Sequence, residues 1–149
     1  AINEFNNKGK PIIGICLGMQ LLFTESNEIK KTKGLDLLKG NVKKFKENDK
    51  RNRTLSFNVG WNKINTKQYK KNKSFVADLD QKSMYFIHSF FVASKEEAIK
   101  TSTSYFYNRE FISSIKKNNI QGFQFHPEKS GEHGIKIYKN LKENLKNKE

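Results

Sequence analysis

Lys10-Pro11-Ile12-Ile13-Gly14-Ile15-Cys16-Leu17-Gly18-Met19-Gln20-Leu21-Leu22-Phe23 decides the reading of the chain. Pro11 opens a continuously apolar run, Ile12 to Ile15, of the kind that forms a fully buried parallel strand. Across its end lies Gly14-Ile15-Cys16-Leu17-Gly18, a G-x-C-x-G pattern. This is the thiol counterpart of the G-x-S-x-G elbow, which carries a nucleophile on a sharp strand-to-helix turn. The two glycines are expected where strand and helix crowd each other and a side chain would collide. Met19, Leu22 and Phe23 then recur at helical spacing, which predicts a helix over about 17–24 with Cys16 at its N-terminus. Backbone N–H groups and the helix dipole at such a position favour a thiolate.

Outward from this stretch, the 149 residues suit one domain, and 35% hydrophobic residues concentrate in 11–23, 84–92 and 120–125. A single cysteine excludes an internal disulfide and fits a reducing compartment. No apolar run reaches membrane-spanning length, and no signal peptide is recognisable, so a cytoplasmic protein without membrane contact is expected. The net charge of +14 raises the possibility of nucleic-acid binding. Its lysines are spread over every segment rather than gathered on one face, and only 43–53 and 67–73 are dense, as solvated loops are. No nucleic-acid partner is expected.

In chain order, Ile2 and Phe5 followed by Gly9 read as the last turns of a helix with its C-terminal glycine. No start for that helix precedes it, and no strand precedes 11–15. The expectation is therefore a single domain over 1–149 that lacks its N-terminal strands, with an unpaired edge or open apolar face on the strand 11–15. Thr24 to Lys33 reads as polar loop, 34–40 as an apolar turn between glycines, and Val42 to Lys46 as a strand. Residues 46–53 and 66–74 read as charged loops around an extended stretch, 54–64, that contains Val59-Gly60-Trp61-Asn62. Aromatic and β-branched residues predict one strand over 83–92, a hairpin over 98–116 turning at Asn108, and a last strand over 120–125. Ile135, Tyr138, Leu141 and Leu145 predict an amphipathic helix over 131–146. There is no internal repeat.

Directly after the last strand come His126-Pro127-Glu128. Pro127 bars a helix start and holds an extended turn, in which positions i and i+2 project to one side. Glu128 can then orient an imidazole at His126. A lone cysteine is usually a small buried hydrophobe, and a lone His beside a Glu is usually a surface pair. Together, at two strand ends of one α/β sheet, they supply a nucleophile, its base and the carboxylate that holds the base.

Gly14-Ile15-Cys16-Leu17-Gly18-Met19-Gln20 with Phe123-Gln124-Phe125-His126-Pro127-Glu128 resembles the class I, triad-type glutamine amidotransferases. Met19, Gly60-Trp61-Asn62, Tyr85-Phe86-Ile87-His88-Ser89 and Lys129-Ser130 further resemble the glutaminase subunits of imidazole glycerol phosphate synthases within that family. The resemblance implies an α/β fold with an open, mostly parallel, flavodoxin-like sheet flanked by helices and an antiparallel β extension. It implies hydrolysis of L-glutamine by Cys16, His126 and Glu128, with the Leu17 N–H in the oxyanion hole. Gln20, His88 and Ser89 match positions lining the glutamine pocket, and Trp61 with Asn62 matches the contact to a (β/α)8-barrel cyclase in a heterodimer that serves histidine biosynthesis. No cofactor or metal is implied.

Two departures stand out: Phe57-Asn58-Val59 where that subgroup carries Pro-His and an apolar residue, and Phe90 where it carries Tyr. They leave open a paralogue that feeds ammonia to a sugar-amidinating synthetase of surface-glycan assembly. A catalytically silent binding module is the remaining alternative, against which the intact Cys16, His126 and Glu128 argue.

Overall fold

The computed structural model describes residues 1–28, 30–48, 53–69 and 74–146. Helix α1 (Ile2–Asn7) leads through Gly9, at φ 68°, into strand β1 (Ile12–Ile15), the elbow, and the short helix α2 (Leu17–Leu21). Strands β2 (Phe23–Ser26), β3 (Thr32–Lys33), β4 (Leu38–Lys44), β5 (Glu47–Asn48), β6 (Thr54–Leu55) and β7 (Asn58–Lys63) follow. Then come β8 (Ser83–His88), β9 (Phe90–Ala93), β10 (Lys100–Phe106), β11 (Arg109–Lys117), β12 (Ile120–Phe123) and helix α3 (Gly131–Lys146).

The result is a mixed α/β architecture. One sheet has the order β1-β12-β11-β10, with β1 and β12 parallel and Ile15 beside Phe123. A second has the order β3-β2-β4-β9, and β7–β8 and β5–β6 form two-stranded ribbons. A parallel pair needs a crossover of a dozen or so residues, whereas a hairpin needs only a tight turn. Tight turns such as Tyr107-Asn108 dominate this chain, so antiparallel pairings exceed parallel ones among the described strands. The expected parallel arrangement holds at the pair that carries the elbow.

Several local expectations change. Strand β1 is not fully buried: it lies at the edge of its sheet among the described strands, and Ile13 is 42% exposed. Helix α1 buries none of its residues, and the Asn119 amide ties it to the strand by donating to Asn6 Oδ1 and the Lys10 carbonyl. Thr24 to Lys33 is not all loop, because β2 runs parallel to β4 and is flanked by β3. The run 83–92 breaks at Ser89, so that β8 stays with β7 while β9 crosses to β4. In α3 the buried stripe is Gly134, Ile137 and Leu141, leaving Ile135 and Tyr138 on the flank toward solvent. The side chain of Leu145 lies outside the described residues, as do 49–52 and 70–73 in the two charged loops.

Two apolar clusters hold these layers. One gathers Met19, Leu22, Phe23, Leu38, Val42 and Ile115 between α2 and the sheets. The other is aromatic, built on Phe45, Phe86, Phe111, Phe123 and Phe125, with Phe45 stacked on Phe91 at 4.6 Å between centroids. Burying such rings contributes about 2 kcal/mol each before cavity effects, so this cluster anchors the floor beneath the site.

Candidate active site

The elbow is strained in the way its pattern requires. Cys16 has φ 51° and ψ −109°, a conformation that a non-glycine residue adopts only when its surroundings impose it. They do so by two means. The Cys16 N–H donates to the Phe123 carbonyl at 2.7 Å, continuing the parallel ladder one residue beyond β1. Gly14 lets the first turn of α2 fold back onto the strand, since a Cβ there would stand 2.7 Å from backbone atoms of Gly18 and Met19. Gly18 is different: nothing lies within 4 Å of a Cβ at that position, so the expected collision at both glycines holds at one.

The sulfur is half-buried. It lies 3.8 Å from the Ile87 carbonyl and 3.7 Å from Gln124 Nε2. Burial raises the thiol pKa above its ordinary value, and this outweighs the hydrogen bonds from the Leu17 N–H and Gln124 that favour the thiolate. The charges of Glu128 and Glu28 push it the same way as burial. The expected thiolate is thus corrected to a resting thiol, since a five-residue helix contributes little dipole against desolvation.

His126 follows β12 and is held by its N–H on the Tyr85 carbonyl at 2.9 Å. The segment after it is not extended: Pro127 opens a 3-10 turn, Pro127–Lys129, in the first helical position where its missing N–H costs nothing. The turn brings Glu128 Oε1 to 2.6 Å from His126 Nδ1. A carboxylate only accepts, so Nδ1 carries the proton and Nε2 presents its lone pair. That Nε2 is buried and without a hydrogen-bond partner among the described residues. Ser130, fully buried, fastens the turn by donating to the His126 carbonyl at 2.6 Å and accepting from the Tyr85 N–H at 3.0 Å.

Cys16, His126 and Glu128 therefore stand at the C-terminal ends of one parallel pair, where open α/β sheets place their sites. Leu17 is exposed beside the thiol with its N–H directed at the sulfur. Gln20 is nearly buried, and its Nε2 donates inward, to the Phe90 carbonyl at 2.9 Å and to Gln124 Oε1 at 3.0 Å. His88 is 5% exposed inside a cage of Phe45, Phe86 and Phe111, with both ring nitrogens hydrogen-bonded. Gln20 lines the cleft of Leu17, Leu21 and Glu28 while its amide turns inward, and His88 is enclosed by its aromatic cage. Ser89 is half-buried at the strand break, its carbonyl accepting from the Phe45 N–H.

On the neighbouring ribbon Trp61 is 56% exposed and meets Tyr85 edge-on at 5.8 Å, with Val59 and Ile87 exposed alongside. The Asn62 amide turns inward to Asn58 Oδ1 at 2.9 Å. The sequence motifs contain Gln124 and Ser130 without marking their roles, and nothing in them points to Glu28. Glu28 shares a cleft with Leu17, Gln20 and Leu21, and its carboxylate field reaches the thiol. No spacing rule marks it, because the turn after β2 brings it there. No cluster of metal-ligating side chains is present among the described residues, and no described helix is long and apolar enough to cross a membrane.

The family model for glutamine amidotransferase class-I matches residues 1–144. The imidazole glycerol phosphate synthase subunit HisH of Chlorobaculum tepidum is 39% identical over 144 residues, covering 96% of this chain and 68% of the relative. The HisH subunit of Methanocaldococcus jannaschii is 44% identical over 135 residues, covering 91% and 64%. The chain thus spans about two thirds of the length of these relatives. Among solved structures, PurLQS from Thermotoga maritima aligns with a TM-score of 0.67 at 18% identity, covering 97% of this chain and 66% of that one. A glutamine amidotransferase from the same organism gives 0.61 at 23% identity, covering 99% and 53%. The second pair speaks to the fold; the family match and the first pair show that the chain belongs to the class-I glutamine amidotransferases.

Proposed function

We propose that the protein hydrolyses L-glutamine to glutamate and ammonia and passes the ammonia to the cyclase subunit of an imidazole glycerol phosphate synthase. The observation that carries the chemistry is the His126 Nδ1 to Glu128 contact of 2.6 Å, which leaves Nε2 as the free base of the ring, past the end of the strand that pairs in parallel with the one leading to the strained Cys16. The acceptor is read from the HisH relatives, about 40% identical over most of the chain.

On this reading Cys16 Sγ attacks the glutamine carboxamide carbon while its proton passes to His126 Nε2, so the raised thiol pKa is met at the moment of attack. The Leu17 N–H faces the developing oxyanion. As the tetrahedral adduct collapses, His126 returns the proton to the amide nitrogen, the C–N bond breaks, and ammonia leaves a thioester on Cys16. Water then gives a proton to Nε2 and attacks the thioester, releasing glutamate and the thiol. Glu128 holds the imidazole and stabilises its charged form throughout. Glu28, across the cleft beside Leu17, suits the α-ammonium of the substrate by its charge. The exposed face of Val59, Trp61 and Ile87, with Asn62 in the same strand, is the surface for a (β/α)8-barrel partner, forming a heterodimer.

A glutamine-analogue electrophile should label Cys16 alone in the full-length protein, and the adduct is located by peptide mass mapping. Equal labelling of Cys16→Ser would end this reading. His126→Asn should lower glutamine turnover by roughly 10³-fold, since one residue serves both thiol activation and leaving-group protonation.

A further inference from the structure

A hydrogen-bonded chain runs beneath the site and ends on its sulfur. It starts at Asn62, whose Nδ2 donates to Asn58 Oδ1 at 2.9 Å. This fixes the amide of Asn58, 3% exposed, so that its Nδ2 faces His88 Nε2 at 3.0 Å. On the other side of the ring, His88 Nδ1 stands 2.7 Å from the Phe90 carbonyl. A carbonyl only accepts, so Nδ1 holds the proton, and Nε2 of the neutral ring must accept from Asn58. The second donor to the same carbonyl is Gln20 Nε2 at 2.9 Å, whose other hydrogen goes to Gln124 Oε1 at 3.0 Å. Gln124 in turn donates to Cys16 Sγ at 3.7 Å. After the half-buried Asn62, each amide and the ring is oriented by the member before it, and Asn58, His88, Gln20 and Gln124 are all buried.

We propose that Asn58 and His88 are positioning residues for the Cys16 thiol, acting through the Phe90 carbonyl, Gln20 and Gln124; this rests on reading Cys16 as the nucleophile. Neither touches the sulfur. Their action is through the seating of the ring. The Phe90 carbonyl requires Nδ1–H, the Asn58 amide fills the Nε2 lone pair, and the ring held at both nitrogens pins the carbonyl on which Gln20 hangs. Without that donor the ring stays Nδ1–H, but its buried Nε2 is left without a partner and the ring is held at one side only. The carbonyl then loses its fixed position, and Gln124 no longer aims its N–H at the sulfur. The proton affinity of the caged ring, held well below that of an exposed histidine, agrees with a neutral tautomer.

Cys16 is the one cysteine of the chain, so its alkylation can be followed without glutamine or a partner. The test compares full-length wild type, Asn58→Leu and Asn58→Asp by the rate of Cys16 alkylation with iodoacetamide, the nitrogen chemical shifts of His88, and glutamine turnover. Asn58→Leu should leave His88 neutral and Nδ1–H, move its Nε2 shift to that of a nitrogen without a donor, and slow alkylation about fivefold, the worth of one hydrogen bond, with kcat falling more than KM changes. Asn58→Asp should draw a second proton onto His88, keep Nδ1–H on the Phe90 carbonyl, and alkylate within about twofold of wild type. A merely structural role predicts the reverse order, since a buried carboxylate is the harsher substitution. Wild-type alkylation by Asn58→Leu overturns the proposal. If Asn58→Leu does not fold, a neutral His88 or slowed alkylation in Asn58→Asp overturns it instead. The expected alkylation pattern in a protein that never turns over glutamine would sink the functional reading and leave the positioning intact.

Discussion

At His88, two hydrogen-bonded nitrogens and three surrounding aromatic rings select the neutral imidazole. Burial lowers its pKa from 6.5 to about 4; the Phe90 carbonyl works against this and the charge of His126 adds to it. The unfolded chain therefore takes up a proton near pH 6.5 that the folded chain refuses until about 4. Stability contributed by the neutral ring is complete above pH 6.5, drains as the pH falls through that window, and is gone below it. The span corresponds to roughly 3 kcal/mol. Urea unfolding at pH 7 and pH 5 should show about 2 kcal/mol of this loss, and His88→Phe, less stable at pH 7, should show a flatter dependence. An unchanged slope in His88→Phe would place the titration elsewhere. This role was not legible in the sequence, where His88 reads as a pocket residue, because its partners Asn58 and Phe111 lie on other strands. His126 and Glu128 were legible because they are two residues apart and need only one turn to meet.

At the scale of elements, the strand–elbow–helix unit depends on which glycine is crowded. A Cβ on Gly14 meets backbone of Gly18 and Met19 at 2.7 Å, and backbone cannot rotate away as a side chain can. Gly14→Ala should cost roughly 2 kcal/mol in denaturant unfolding. Gly18→Ala meets nothing within 4 Å and replaces a poor helix former with the best one, so its stability should be unchanged or higher by up to about 1 kcal/mol. Equal losses in both variants would return the unit to the symmetrical crowding that the G-x-C-x-G pattern suggests. The same reasoning explains α3: a Cβ on Gly134 would collide with the Pro127 carbonyl, so the helix seats directly on the turn that carries Glu128. The periodicity of Ile135, Tyr138 and Leu141 hid this, because it indicates a helix but not which edge of its stripe is covered. Strands β1 and β12 were legible from apolar runs bounded by Pro11 and His126, whereas β2 was not, since Thr24, Glu25 and Ser26 are polar and carry no apolar alternation.

For the molecule as a whole, the face of the β7–β8 ribbon joins the site to the surface. Val59 pairs with Ile87 and Trp61 with Tyr85, so their side chains share one face, and Trp61 is 56% exposed on it. The same ribbon gives the Ile87 carbonyl to the Cys16 sulfur and the Tyr85 carbonyl to the His126 N–H. A protein seated on this face would lie against the backbone that frames Cys16 and His126. Tryptophan in the centre of such a patch is the kind of residue that dominates binding when covered, typically by 2 kcal/mol or more. In the free chain its side chain rests chiefly on Tyr85, so little of the core depends on it. Trp61→Ala should therefore weaken the complex with the barrel cyclase by about thirtyfold or more in Kd, measured by titration calorimetry, while shifting the thermal midpoint of the isolated subunit by only a degree or two. Basal labelling of Cys16 should stay unchanged, because the hydrogen bonds to its sulfur come from Gln124 and Leu17. A large drop in midpoint with unaltered affinity would make Trp61 part of the core and move the partner surface to another face.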